Sequence, residues 1–273
     1  MACPPPPAGQ RIDAKCECTR DLGAPWHGHH MSDEAWTQIP DGWRPAAPEL
    51  VEHAVAAALQ ALAPDSPRPA HQRLANFYDR SRDFAGSTFV SLAPVAPDDV
   101  TAADLHATTL LSVEIGPGPT RRLLDSSPTR TRVLEALAAV PDTDLLVAGP
   151  TDLAAMEVLY GAVKYALSDP STTIPNAWVT ASKLCARKRP ELFPVRDNLV
   201  CTHLGLLPEG RRGDYQVDWQ VFRALIGDRR VIDAIDALGP LIKTEARDRR
   251  VQTDTGRLRL LDAALWTWAS GKG

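Results

Sequence analysis

The stretch from 183 to 189 concentrates the side chains that could bind an anion. It carries four cations in seven residues: Lys183, Arg187, Lys188 and Arg189. Lys183 and Arg187 are four residues apart, so they share one face of a predicted helix. Two interpretations stay open. In the first, the cations form a solvated face at the negative end of a helix dipole; in the second, Lys183, Arg187 and Arg189 bind phosphate or a nucleic-acid backbone.

A carboxylate follows this basic stretch. Asp197 directly precedes a helical pattern over 198–206, which places its side chain to cap that helix. A carboxylate beside a basic helix could also act as a general base or stabilise developing positive charge. Asp197 is therefore the candidate catalytic residue, with capping as the alternative.

Further polar and aromatic side chains could complete a pocket around Asp197. Arg259, Asp262 and Trp266 share one side of a predicted C-terminal helix, either as an ion pair beside a covering aromatic or as a pocket wall. His203 lies six residues beyond Asp197 and could approach the same pocket, although helix packing also explains it. Trp178 and Ser182 complete the set of candidate pocket residues.

A second group of cations surrounds the predicted turn at 253–256. It consists of Arg247, Arg249, Arg250 and Arg257. The pattern indicates either a solvated loop or a second basic patch. No metal site or cofactor is predicted, because the cysteines and histidines of residues 1–30 match no regular zinc-ligand spacing.

Length and composition limit what can position these residues. A chain of 273 residues with 44% apolar and 23% charged residues can build a substantial core. The net charge of −4 excludes a general polyanion binder, so DNA contact would require a local basic face. No run of eighteen apolar residues occurs, and no basic start followed by an apolar stretch marks a signal peptide. We expect a soluble, cytoplasmic protein with reduced thiols and no membrane contact.

Hydrophobic periodicity predicts an all-α fold, with one multi-helix domain over 48–273. A capping box at Thr101 to Asp104 starts a helix that ends before the 116–119 turn. The other predicted helices cover 49–62, 130–140, 151–167, 176–189, 198–206, 217–227, 230–246 and 255–269. The one strand candidate, 87–92, has no evident partner. Residues 1–47 are predicted to be a disordered tail, and Met31 could be the native start.

Residues 174–206 resemble the core of the helix-hairpin-helix DNA glycosylases. The resemblance is carried by Thr180-Ala181, by Pro194-Val195 before Asp197, by Val200, and by Leu204-Gly205-Leu206. In that family a hairpin ends in a Thr-Ala pair, a helix follows, and a Pro-Val-Asp motif supplies the catalytic aspartate. The resemblance implies that Asp197 takes this role, stabilising oxocarbenium-like charge or activating water.

Departures from the glycosylase pattern restrict what the resemblance implies. The lysine of lyase-active members falls at Val179, so the implied activity is monofunctional base excision from DNA. The hairpin over 174–178 has no glycine, Arg196 precedes the aspartate, and Thr202 replaces an arginine. The alternative is a non-catalytic helical module that binds a protein or a small anionic ligand.

From about residue 70 onward the chain also resembles an uncharacterised bacterial family of actinobacterial type. The segments that carry this resemblance are 100–105, 181–190 and 258–262, together with Trp266. This likeness implies a shared fold and no particular activity.

Overall fold

Twelve α-helices account for the regular secondary structure of the described residues, which confirms the all-α prediction. The computed structural model describes residues 38–168, 176–207, 214–247 and 249–273. The helices are α1 Pro48–Leu62, α2 Ala70–Phe77, α3 Gly86–Phe89, α4 Ala102–Thr109, α5 Pro117–Leu124, α6 Pro128–Ala139, α7 Pro150–Leu167, α8 Trp178–Lys188, α9 Asn198–His203, α10 Tyr215–Gly227, α11 Arg229–Ala246 and α12 Arg257–Ala269. None of these helices has both the length and the apolar character that a bilayer-crossing segment needs.

Capping residues and prolines explain where several helices begin. The predicted capping box is present: the Thr101 side chain accepts from the Asp104 amide, and Oδ2 of Asp104 accepts from the Thr101 amide at 2.9 Å. The 116–119 segment is not a simple turn as predicted, because Gly116 precedes a helix that has Pro117 in its first turn. Proline suits that position, since its φ is already helical and its missing N–H has no helical partner there.

The strand candidate over 87–92 does not form a strand. Residues Gly86–Phe89 form α3, and Phe89 is buried in the core. A lone strand would leave its backbone donors and acceptors unpaired, whereas a helical turn satisfies them locally.

Helix α8 is the most enclosed element around the candidate site. Every residue from Thr180 to Lys188 is buried, with α7 and α4 packed against it. The solvated face predicted for Lys183 and Arg187 is therefore wrong. Helical periodicity distinguished an apolar side from a polar one, but α4 and the chain before it cover the polar side.

Part of the predicted tail packs on the helical domain. Trp43 is buried, its ring centroid lies 6.0 Å from that of Trp219, and its Nε1 donates to Glu157 at 3.0 Å. The Ala46 amide donates to Oε1 of Gln220 at 2.8 Å. The prediction of disorder is thus wrong for 38–47, whereas residues 1–37, with Met31, lie outside the described residues.

Helix α12 positions the C-terminal candidates. It packs against α1, α2 and α9, and this arrangement brings its polar side towards the loop between α8 and α9. The loop's Val195 amide donates to Oδ2 of Asp262 at 3.0 Å. Residues far apart in the chain therefore meet around one cavity.

Candidate functional site

The cavity has a volume of about 170 Å³, and its lining combines aromatic rings, which we call the wall, with charged side chains, which we call the floor. The wall includes Phe77, Tyr78, Phe84, Phe89 and Trp266. The floor includes Lys183, Asp197, Asp254, Arg259 and Asp262. Five of the ten candidate residues belong to this lining: Asp197, Lys183, Arg259, Asp262 and Trp266.

Lys183 and Asp197 form a buried pair at the cavity. Oδ1 of Asp197 accepts from the Val200 amide at 2.9 Å, which confirms the capping role. Oδ2 lies 3.9 Å from Nζ of Lys183, and Nζ donates to the Leu111 carbonyl at 2.7 Å. Burial lowers the pKa of Lys183, and the nearby Asp197 carboxylate partly opposes this shift. The pair thus places an amine and a carboxylate together in a largely dehydrated site.

The predicted ion pair between Arg259 and Asp262 is confirmed. Nη2 of Arg259 lies 2.5 Å from Oδ2 of Asp262 and donates to the Phe193 carbonyl at 2.5 Å. Burial raises the pKa of Asp262 to about 7, against the opposing effect of Arg259. Nε and Nη1 of Arg259 and Oδ1 of Asp262 have no hydrogen-bond partner among the described residues. Unpaired buried polar atoms are costly, so this part of the floor can gain from a polar ligand.

Tyr78 and Asp254 form a further polar pair that sequence reasoning missed. The Tyr78 hydroxyl donates to Oδ2 of Asp254 at 3.0 Å across 176 residues of chain. Burial raises the pKa of both groups. The sequence predicts a turn at 253–256, but nothing in that local pattern indicates a tyrosine partner for Asp254.

Arg187 does not line the cavity. Its Nε donates to Oδ1 of Asp104 at 3.0 Å, and its Nη atoms donate to the carbonyls of Phe89, Val90 and Leu92. These protein acceptors enclose the guanidinium. A phosphate could reach it only after the chain around it had opened, so the structure contradicts a phosphate-binding role for Arg187.

Arg189 is held in the same way on the other side of α8. Its Nη1 donates to the Pro97 carbonyl at 2.7 Å, and its Nη2 donates to the Leu137 carbonyl at 3.0 Å. Arg189 therefore ties the end of α8 to the preceding helices. The anion-binding role predicted for it is also contradicted, because the residue is buried and its donors are occupied.

Ser182 and Trp178 support the site from outside the cavity. The Ser182 hydroxyl donates to the Pro194 carbonyl at 3.0 Å and accepts from the Arg196 amide at 2.9 Å. The Arg196 guanidinium lies over the Trp178 ring, 5.3 Å from its centroid. These contacts fix the loop that carries Asp197.

Arg196 anchors the same loop through a buried ion pair. Its Nε donates to Oδ2 of Asp218 at 2.8 Å, and both side chains are 1% exposed. Arg196 is the position at which this sequence differs from the Pro-Val-Asp motif of the glycosylases. Its buried ion pair gives it a structural role next to Asp197.

His203 faces a different part of the molecule. A ring nitrogen lies 3.2 Å from the Ala57 carbonyl of α1, and burial lowers the pKa of the imidazole. His203 is absent from the cavity lining, so its packing interpretation is correct and its predicted approach to the pocket is not.

The charge of the lining indicates which ligands the cavity suits. Its carboxylates are Asp83, Asp197, Asp254 and Asp262, and its cations are Lys183, Arg259 and Lys272. The acidic and basic side chains are nearly equal in number, so the charge of the lining does not select an anion. Aromatic walls above mixed donors and acceptors suit a planar ring with polar edges. In the described part of the chain, no three His, Cys, Asp or Glu side chains are grouped to hold a metal ion.

Comparison with known proteins places the chain in a family. The model of DUF6308, a family of unknown function, matches residues 70–269. This match confirms the expected membership of an uncharacterised family, and it covers every lining residue except Lys272. Neither the curated proteins nor the solved structures gave a match.

Proposed function

As this chain belongs to DUF6308, whose function is unknown, we propose from its own geometry that the cavity binds a nucleobase-like ring. We further propose that Asp197 acts on the N-glycosidic bond between that ring and a sugar. One observation carries the proposal: the Asp197 carboxylate and the Asp262 carboxyl, whose pKa is raised to about 7, line one aromatic cavity.

Two carboxyl groups that line one cavity can divide the work of glycosidic hydrolysis between a proton donor and a stabiliser of positive charge. Asp262 lines the cavity with a pKa raised to about 7, so its carboxyl group can carry the proton given to the ring nitrogen as the C–N bond breaks. The bonding electron pair leaves with the ring. Asp197 stabilises the positive charge on the sugar and takes a proton from the water that adds to it.

The resemblance of 174–206 to helix-hairpin-helix glycosylases leads to the same carboxylate, Asp197. That resemblance also implies DNA as the substrate. Arg187 and Arg189 cannot supply the phosphate contacts, because their donors bind protein carbonyls and carboxylates. Any contact with a nucleic-acid backbone must therefore use other cations.

A second candidate function is ligand binding without catalysis. It is favoured by the partners that Asp197 already has, since Oδ1 caps α9 and Oδ2 lies beside Lys183. In this case Asp197 would orient the ligand or only hold the loop. The lining combines acidic side chains with Lys183, Arg259 and Lys272, so its charge gives a small anion no particular advantage in the cavity itself.

Calorimetric titration with purine and pyrimidine nucleosides, followed by chromatography for released base, separates these functions. The glycosidic proposal expects binding, base release, and an Asp197→Asn variant that binds but releases no base. Asparagine is a good helix cap, so this variant should keep the fold. Binding without base release by the unaltered protein would favour the second candidate. No binding of any nucleoside, alone or within an oligonucleotide, would reject both ring-binding proposals.

A further inference from the structure

Two segments with exposed arginines lie against each other beside the cavity. The turn after α2 and the segment before α12 meet in a single antiparallel bridge between Asp79 and Val251. The Arg80 amide donates to the Arg250 carbonyl at 3.0 Å, and the Gln252 amide donates to the Tyr78 carbonyl at 3.2 Å. These contacts gather arginines that are far apart in the sequence: Arg80, Arg82, Arg247, Arg249 and Arg250. We call this group the arginine rim.

The arginine rim differs from the arginines of α8 in how its donors are used. Arg80, Arg82 and Arg250 are exposed, and the Arg82 side chain is 49% exposed. Nη1 of Arg80 has one distant partner, Oε1 of Gln252 at 3.5 Å. Nε of Arg82 lies 4.0 Å from Asp79. The donors of these exposed guanidinium groups thus remain largely available, unlike those of Arg187.

The position of the rim relates it to the cavity. Arg80 and Arg82 lie on the turn between Tyr78 and Asp83, and both of those residues line the cavity. On the other segment, Arg250 is four residues before Asp254, a floor residue. The rim therefore borders the cavity, with exposed cations outside and the buried Asp197 and Asp262 inside.

Acidic neighbours offset part of the charge of the rim: Asp79 lies 4.0 Å from both Arg82 and Arg249. Asp79 is buried, and its Oδ1 accepts from both the amide and the hydroxyl of Ser81. Asp83 is exposed, and Asp248 lies outside the described residues. Among the described residues of the two segments there are five arginines and three aspartates, Asp79, Asp83 and Asp254. Arg249 also pairs with Glu245 of α11 at 3.6 Å, so the exposed charge of the rim comes mainly from its other four arginines.

We propose that the arginine rim binds the phosphate of a nucleotide whose ring occupies the cavity. This inference rests on the proposed function and assigns its substrate class: a phosphorylated nucleoside, free or as a unit of a nucleic-acid strand. Guanidinium groups bind phosphate through paired, charge-assisted hydrogen bonds, and an exposed turn can reach a group attached to a buried ring.

Titration with a nucleoside, its 5′-monophosphate and a short single-stranded oligonucleotide tests this inference. We expect the monophosphate to bind about tenfold tighter than the nucleoside, since a hydrogen bond to a charged group contributes about that factor. A further gain with the oligonucleotide, and a steeper loss of affinity with salt, would identify a strand as the source of the phosphate. If the oligonucleotide binds no tighter than the monophosphate, the source of the phosphate is a free nucleotide.

Matched variants test whether the arginine rim causes the tighter binding of the monophosphate. Arg80→Gln/Arg82→Gln should remove the monophosphate's advantage while leaving nucleoside affinity unchanged. For an oligonucleotide it should reduce the salt slope by about 1.4, at roughly 0.7 per phosphate contact on a single strand. The control Arg121→Gln/Arg132→Gln removes the same charge from exposed positions on α5 and α6, neither of which lines the cavity. Arg250→Gln is the second rim variant if the double variant melts early.

The outcomes separate the two proposals. If nucleoside and monophosphate bind equally well, the rim inference is wrong and the proposed function stands. If the control variant loses as much affinity for the monophosphate as the rim variants do, the overall charge of the protein explains the binding. The rim inference is then also wrong. If no nucleoside binds, the proposed function fails and the inference falls with it.

Discussion

Nε of Arg187 donates to Oδ1 of Asp104 across 3.0 Å, although 83 residues separate them in the chain. Oδ2 of the same carboxylate accepts from Nζ of Lys188 at 2.9 Å and from the Thr101 amide. Asp104 thus neutralises two buried cations and starts α4. The contact that holds α8 in place is therefore electrostatic as well as apolar.

Replacing Asp104 with Asn should be strongly destabilising. The substitution leaves Arg187 and Lys188 buried without a counter-charge, and breaking a buried ion pair on one side costs about 3–5 kcal/mol. The free energy of unfolding in urea measures this. Asp125→Asn, at an exposed position, should change it by less than about 0.5 kcal/mol. Similar values for the two variants would contradict the role given to Asp104.

Gly86→Ala should reduce the width of the cavity and lower the free energy of unfolding. A Cβ at this position would lie 2.6 Å from the Phe77 ring and from the Phe77 carbonyl oxygen. Overpacking of this kind costs about 1–3 kcal/mol. Gly161→Ala is the control, because its Cβ would meet nothing within 4 Å and helical alanine is favoured by about 1 kcal/mol. Thermal melts should shift in opposite directions for the two variants.

The raised pKa of Asp262 predicts how stability depends on pH. Burial raises this pKa from 3.8 to about 7, so between those values the folded protein keeps a proton that the unfolded chain releases. The contribution of Asp262 to stability is therefore lost as pH rises through this window. Asp262→Asn should remove the effect, so the stability of the variant relative to the parent should increase from pH 5 to pH 8. Parallel pH profiles would show that Asp262 does not titrate in this range.

Asp197→Ala and Asp197→Asn should differ in stability. Alanine removes the side-chain acceptor for the Val200 amide, and loss of such a cap costs about 1 kcal/mol. Asparagine can keep this hydrogen bond. Urea unfolding of the two variants would therefore measure the capping role separately from any role in catalysis. Equal stabilities would show that the cap contributes little.

Features that depend on neighbours in the sequence could be predicted. The capping box at Thr101 and the cap at Asp197 follow from residues within one helical turn. The Arg259–Asp262 pair follows from helical spacing. The all-α class follows from the repeated apolar periodicity.

Features that depend on contacts between distant parts of the chain could not be predicted from the sequence. The burial of Arg187 depends on Asp104 and on the carbonyls of residues 89–92, which no local pattern connects to α8. The pairing of Tyr78 with Asp254 is of the same kind. Periodicity reports which side of a helix is polar, and only the packed fold decides whether water or protein meets that side.

The cavity draws its walls from residues 77–112, 183–197 and 254–272. During synthesis the first four aromatic residues of the wall and Lys183 leave the ribosome long before Asp254, Arg259, Asp262 and Trp266. The site therefore cannot exist on the growing chain. Ligand cannot assist folding until translation of this region has finished, and any ligand-dependent stabilisation acts only on the completed domain. Until then the buried cations of α8 must find Asp104 without that help.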